Sequence, residues 1–183
     1  MGRLLKFDLG SYGCDTYVET GTGKCVTLSK AAAVFDRCYS VDLDPSMIQQ
    51  AQAKFPAAVL YQGLSTQALA QWLQQDLKDS NRVLFFLDAH FPGADFGGAR
   101  HDVTVPNAVP LQEELQLIKQ YRPTANDVII CDDARIYTTG LFQSGNTPWL
   151  QVPGGYQFVY DLFPEDKISL SYQEEGYIII DRR

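Results

Sequence analysis

The 183-residue chain predicts an α/β fold: a three-layer sandwich around a mostly parallel, seven-stranded sheet that ends in an antiparallel hairpin. Three observations predict it. Short apolar, β-branched runs alternate with segments of helical period, the pattern of successive strand–helix units. The fourth run, Val83-Leu84-Phe85-Phe86-Leu87-Asp88, is continuously apolar, as a strand buried on both faces must be. The last two extended segments meet at Glu174-Glu175-Gly176, which reads as a hairpin turn.

Residues 1–14 are punctuated by glycine and carry no helical period. A first strand is expected over 15–20 and a first helix over 23–36, with Leu28, Ala32 and Phe35 on one face. Cys38-Tyr39-Ser40-Val41-Asp42 reads as the second strand. Asp44-Pro45 starts the next helix, an N-cap acid followed by proline at the first helical position, and Pro56 ends it after Phe55. A third strand over 57–62 closes at Gly63, and Ser65 is expected to cap a helix with Leu69, Trp72, Leu73 and Leu77 along one stripe. The strand 83–88 is followed by about twenty residues without periodicity, 89–109, which hold both histidines, His90 and His101. A stretch of that length in a compact domain reads as a lid or binding loop. Pro110 opens a helix with Leu111, Leu115 and Ile118, and the fifth strand spans 127–133. Beyond an irregular segment, 138–155, extended segments are expected near 156–162, 167–173 and 176–181.

Composition narrows the classes. The length suits one domain over 1–183, and 45% hydrophobic with 20% charged residues marks a folded chain. A net charge of −7 and a pI near 4.7 argue against a nucleic-acid or anionic-membrane partner, because no basic cluster exists to neutralise phosphates. Met1 to Lys6 turns polar too soon for a secretory signal, and no run reaches membrane-spanning length. The four cysteines, 14, 25, 38 and 131, form no Cys-x-x-Cys pair, so reduced thiols and a cytoplasmic setting are expected.

Chemistry concentrates at Glu19-Thr20-Gly21-Thr22-Gly23-Lys24, where a strand ends in an acid and passes through two glycines into a helix. Glycines let such a turn adopt φ > 0 and let a ligand approach bare backbone, while the helix start offers free N–H groups. Asp42 follows at the end of the next strand, where a ribose would present its hydroxyls. Two look-alikes fail. Cys25 replaces the hydroxyl, and Val18 the first glycine, of a phosphate-binding loop; Val26 replaces the third glycine of the dinucleotide fingerprint. A ligand without phosphates is favoured.

Glu19, Asp42, Asp88, Asp132 and Asp133 close four of the five parallel strands, at the edge where ligands of such sheets bind. Asp44 is read differently, as a helix cap. Asp132 and Asp133 beside Asp88 make three like charges that need a cation or protons between them, and a hard divalent ion is the economical answer.

Glu19-Thr20-Gly21-Thr22-Gly23, Val41-Asp42, Gly63-Leu64-Ser65 and the order of elements resemble a class I S-adenosylmethionine-dependent methyltransferase, with its Rossmann-like sheet, over nearly the whole chain. Asp88-Ala89-His90 with Asp132-Asp133 further resembles the metal-dependent, macrocin-type O-methyltransferases. That resemblance implies S-adenosylmethionine bound by Glu19, Thr20, Gly21, Gly23, Asp42, Leu64, Ser65 and Asp88. It implies a divalent cation, Mg2+, on Asp88, Asp132 and Asp133, with His90 as base beside Asp88. It also implies methyl transfer to a hydroxyl of a sugar or other small molecule. His101 is read as a loop residue without a role. The pattern departs from the resemblance at Cys25, which replaces a third glycine, at Leu64, which replaces an acid, and at His90, where Asp or Lys is usual. The 89–109 and 138–155 segments, or a second subunit, would complete the acceptor pocket. Competing readings are an S-adenosylmethionine-binding protein without catalysis, a nicotinamide-binding oxidoreductase and an aspartyl-nucleophile phosphatase suggested by Asp42-Leu43-Asp44.

Overall fold

The computed structural model describes residues 4–91 and 107–183; His101 and the 92–106 part of the expected loop lie outside the described residues. The strands are β1 (Thr16–Thr20), β2 (Arg37–Asp42), β3 (Val59–Gln62), β4 (Val83–Leu87), β5 (Val128–Cys131), β6 (Lys167–Ser171) and β7 (Tyr177–Asp181). The helices are α1 (Val26–Ala31), α2 (Pro45–Lys54), α3 (Ser65–Gln75), α4 (Leu111–Tyr121) and α5 (Gln157–Leu162). The sheet runs in the order β3-β2-β1-β4-β5-β7-β6. β1 to β5 are mutually parallel, whereas β7 pairs antiparallel with both β5 and β6. The expected seven-stranded sheet with its closing hairpin is thus the observed one.

Alternation along the central strands feeds two cores. In β4, Val83, Phe85 and Leu87 join a cluster with Trp72, Leu115, Ile118 and Val159, while Leu84 and Phe86 join Leu28, Ala51 and Tyr177 on the opposite face. β5 divides the same way: Ile129 and Cys131 face the first cluster, Val128 and Ile130 the second. Each fully buried Leu, Ile or Phe withdraws enough apolar surface for about 1.5–3 kcal/mol, so the central strands supply most of the drive to fold. The outermost strands, β3 and β6, are only partly buried, as edges are.

Four elements differ from the sequence reading. The first helix, expected over 23–36, spans only Val26–Ala31, and Ala32, expected on its apolar face, is exposed. The segment near 156–162 is not extended but forms α5: Phe158 and Leu162 pack against the first core, and Val159 and Phe163 lie within it. Those four positions repeat at helical spacing, although tyrosine, phenylalanine and valine favour strands. Residues Leu4–Lys6 and Leu9–Tyr12 form 3-10 turns that drive Leu4 and Leu9 into the second core, where Lys30 Nζ holds the carbonyls of Leu4 and Phe7. Ser65 is the first residue of α3 and not its cap; Leu64 occupies the cap position without a side-chain bond. Asp44 does cap α2, accepting from Ser46 N at 2.7 Å.

At the amino ends of β4 and β5 a buried polar network joins the helical layer to the sheet. Arg122, after α4, donates through Nε and Nη2 to the two carboxylate oxygens of Asp127, each at 2.7 Å, and also to the carbonyls of Leu77 and Ser80. Asp127 accepts from Val83 N at 2.9 Å, and Arg182 donates to the carbonyls of Arg122 and Pro123. No helix among the described residues is long and apolar enough to cross a membrane.

Candidate functional site

Strand order reverses between β1 and β4: β2 and β3 extend the sheet to one side, β4 and β5 to the other. The loops at the carboxyl ends of β1 and β4 therefore diverge and leave a crevice, the place where open α/β sheets bind ligands. A cavity of about 360 Å3 lies there. Its lining includes Gly21, Gly23, Asp42, Leu64 and Ser65 from the β1–β3 side of the sheet and Asp88 and His90 from the segment after β4.

The glycine loop is held by the neighbouring strand. Gly21 N and Thr22 N both donate to the Val41 carbonyl, at 2.9 and 3.1 Å, and Gly23 N donates to Asp42 Oδ2 at 2.8 Å. The second Asp42 oxygen accepts from Asp44 N at 2.9 Å. The carboxylate is thereby fixed on the cavity wall with lone pairs to spare, since each oxygen has accepted only one of its two possible hydrogens. Gly21 has φ +85°, and a Cβ there would stand 2.5 Å from the Asp88 carbonyl oxygen. Only glycine lets the two loops approach so closely. Cys25, the place of a third glycine in the resemblance, keeps a left-handed φ of +62° with its side chain buried.

Glu19 and Thr20 do not line the cavity; they lie beneath its floor. Glu19 is fully buried and accepts from Tyr17 OH at 2.9 Å and Ser40 Oγ at 2.7 Å, with Ser40 Oγ also 2.6 Å from Thr22 Oγ1. Burial pushes its carboxyl up to about 7 against the pull of these donors. Thr20 receives the Asp88 N–H on both its carbonyl and its hydroxyl oxygen. Both residues shape the loop from below and present no group to a ligand in the cavity.

After β4 and β5 the acids divide. Asp88, His90 and Asp132 each bring one potential ligand atom within 4.8 Å of the others. Asp133 turns away: its Oδ2 accepts from His90 Nε2 at 2.8 Å and its Oδ1 from Arg135 Nε at 3.0 Å. Its backbone holds a left-handed φ of +55°, which points consecutive aspartates in different directions. Burial raises the Asp133 carboxyl, but the hydrogen bond and charge of His90, with the charge of Arg135, outweigh it and hold the group below the ordinary carboxylate value. Burial likewise disfavours the imidazolium of His90, yet Asp133 overcomes this and raises its pKa. Asp132 is 3% exposed and neither of its oxygens has a hydrogen-bond partner. Burial and the charge of Asp133 push it up to about 6, and burial with Asp132 nearby pushes Asp88 well above the ordinary range.

A second, much smaller recess of about 10 Å3 is lined by His90, Glu114, Asp132 and Tyr137 among others. Glu114, buried on α4, was not singled out by the sequence, and burial pushes it up to about 7. The signal for it is positional: it falls three residues after Leu111 and four before Ile118, on the apolar stripe. Phe91 N donates to the Ala108 carbonyl at 2.7 Å, which joins the described residues on either side of 92–106. No described residue of 138–155 lines the large cavity.

The same architecture recurs in solved structures. The O-methyltransferase of Bacillus cereus, solved in complex with SAH, matches with a TM-score of 0.56 at 16% identity, over 93% of this chain and 76% of its own. The N-methyltransferase NodS of Bradyrhizobium japonicum WM9 matches with a TM-score of 0.55 at 13% identity, over 97% and 89%. DesVI of Streptomyces venezuelae matches with a TM-score of 0.51 at 10% identity, over 92% and 84%. The fold is therefore the Rossmann-like fold of class I S-adenosylmethionine-dependent methyltransferases. No protein-family profile matches the chain. No curated protein sequence matches it either.

Proposed function

We propose that the protein is an S-adenosylmethionine-dependent methyltransferase that methylates a hydroxyl of a small molecule with the help of a divalent cation. The observation that carries this reading is the cavity itself, which joins a glycine loop and a ribose-facing acid, Asp42, to an acid–imidazole cluster. A nucleoside-bearing ligand with a cationic, phosphate-free tail suits such a pocket. Gly23 presents a side open to the cavity, with no heavy atom within 4 Å of where a Cβ would stand. The fold it shares with an O-methyltransferase solved with SAH points the same way.

Methyl transfer is an in-line displacement at a sulfonium, so its main demand is that the acceptor oxygen be held close and aligned. The fit to a cation rests on Asp132, a buried carboxylate with no donor on either oxygen. Asp88 and Asp132 would hold the ion, which when bound lowers the pKa of a hydroxyl and fixes its direction. Asp42 binds and orients the donor's ribose, the Gly21–Gly23 loop shields its methionine part, and Leu64 with Ser65 borders its base. The acidic surface, net −7, favours a neutral hydroxylated acceptor such as a sugar over nucleic acid.

Incubation with methyl-labelled S-adenosylmethionine and separate pools of sugars, phenols and oligonucleotides tests the reading. Label is expected in a sugar or phenol pool and to fall on chelation. Label confined to oligonucleotides would overturn the acceptor class. Binding of NAD+ in place of S-adenosylhomocysteine would overturn the cofactor.

A further inference from the structure

We propose that the ion-binding set of this protein is Asp88, His90 and Asp132, two carboxylates and one imidazole, and that it takes a first-row transition ion in preference to Mg2+. The inference rests on the methyltransfer reading for what the ion does, but its evidence is the geometry of these three residues.

The first observation is where each acid is committed. Asp133 has both oxygens engaged, one by His90 Nε2 and one by Arg135 Nε, and lies outside the group formed by Asp88, His90 and Asp132. Asp132, 3% exposed, has neither oxygen engaged. The second observation is the direction of the imidazole. Nε2 is held 2.8 Å from Asp133 Oδ2, which leaves the other ring nitrogen, Nδ1, facing Asp88 Oδ1 at 3.4 Å. A metal-bound histidine commonly donates its other ring N–H to a carboxylate, which fixes its tautomer and direction. Arg135, Asp133 and His90 make that chain, with Arg135 holding Asp133 as Asp133 holds His90.

The third observation is the small recess that His90 lines. Its volume of about 10 Å3 suits one water-sized occupant, and its wall carries Asp132 together with the unpartnered Oε1 of buried Glu114. Two buried side chains with unpartnered carboxyl oxygens thus line one small space. His90 lines this recess and the large cavity alike. An oxygen-only set suits Mg2+, whereas an imidazole shifts the balance toward Fe2+, Co2+ or Zn2+ and, least strongly of the first-row ions, Mn2+. His90 is then a ligand and not the general base.

Titration with Mn2+ alone, followed by electron paramagnetic resonance, tests this without reference to turnover. Wild type is expected to bind Mn2+ in preference to Mg2+, and the bound ion to show magnetic coupling to an imidazole nitrogen. His90→Gln should lose that coupling and weaken Mn2+ binding about 10–100-fold, with little change toward Mg2+. Asp133→Asn should keep the coupling while weakening binding. No Mn2+ uptake, uptake without nitrogen coupling, or an unaltered His90→Gln would each overturn the proposal. The wild-type coupling decides the matter even if a variant fails to fold. Calorimetry with S-adenosylhomocysteine on the same protein separates the two readings: a nitrogen-ligated ion without cofactor binding leaves this site standing and removes the methyltransferase.

Discussion

Gly21 is the residue on which the two halves of the cavity meet. Any side chain there would place its Cβ 2.5 Å from the Asp88 carbonyl oxygen, on a backbone with φ +85°. Neither the steric clash nor the left-handed conformation can be relieved without moving the β4 loop and Asp88 with it. Gly21→Ala is expected to destabilise the fold by about 1–3 kcal/mol and to weaken cofactor binding, read by chemical denaturation and calorimetry. Gly23→Ala has open space around its Cβ and should cost only the conformational strain, about 1–2 kcal/mol. Equal losses at the two positions would contradict this reading. The glycines themselves were legible in the sequence. Which acids turn toward the cavity was not, because the direction of Asp133 depends on its φ of +55°, and a pair of adjacent aspartates carries no sign of that. Glu19 shows the same limit: an acid at a strand end can face a ligand or, as here, the donors of Tyr17 and Ser40 beneath it.

At the scale of elements, the amino ends of β4 and β5 depend on the Arg122–Asp127 pair. Both side chains are almost fully buried and bonded twice to each other. Such a pair is a weak source of net stability, but removing one partner strands the other charge. Asp127→Ala should therefore destabilise by about 3–5 kcal/mol, measured as a fall in melting temperature, and should leave the spacing of the distant site residues unchanged. A loss near zero would mean that water reaches Arg122 freely. Strands β1 to β5 were readable because each is an apolar run with a clear punctuation residue at its end. The α5 segment was not, because its aromatic and branched residues favour strands while only their spacing, 158, 159, 162 and 163, reveals the helix that packs on the first core. The sequence carried no sign of the strand order: both the reversal between β1 and β4 and the insertion of β7 between β5 and β6 are fixed by tertiary pairing.

For the whole molecule, buried acids set the response to pH. Burial pushes Glu19 and Glu114 each to about 7, so the folded state keeps their protons over a range in which the unfolded chain has lost them. With more protons on the folded state, stability falls as pH rises from about 4.5 to about 7, by up to about 1.4 kcal/mol per pH unit for each group. The full contribution is present below that window and gone above it. Denaturation in chelator at pH 5 and pH 7.5 should show the lower stability at the higher pH, and Glu19→Gln or Glu114→Gln should flatten the difference. A rise in stability over the same interval would contradict these assignments. The acidic surface adds self-repulsion in the same direction, through its net charge of −7.

The central claim is that the cavity at the β1–β4 switch point is a cofactor site oriented by Asp42. Calorimetry with S-adenosylhomocysteine on wild type and Asp42→Ala tests it most directly. Wild type is expected to bind at a single site. Asp42→Ala removes the charged acceptor for the ribose hydroxyls and should weaken that binding by about 1.5–3 kcal/mol, roughly 10- to 150-fold. Wild type that binds no S-adenosylhomocysteine, or a variant that binds it as tightly as wild type, would contradict the account.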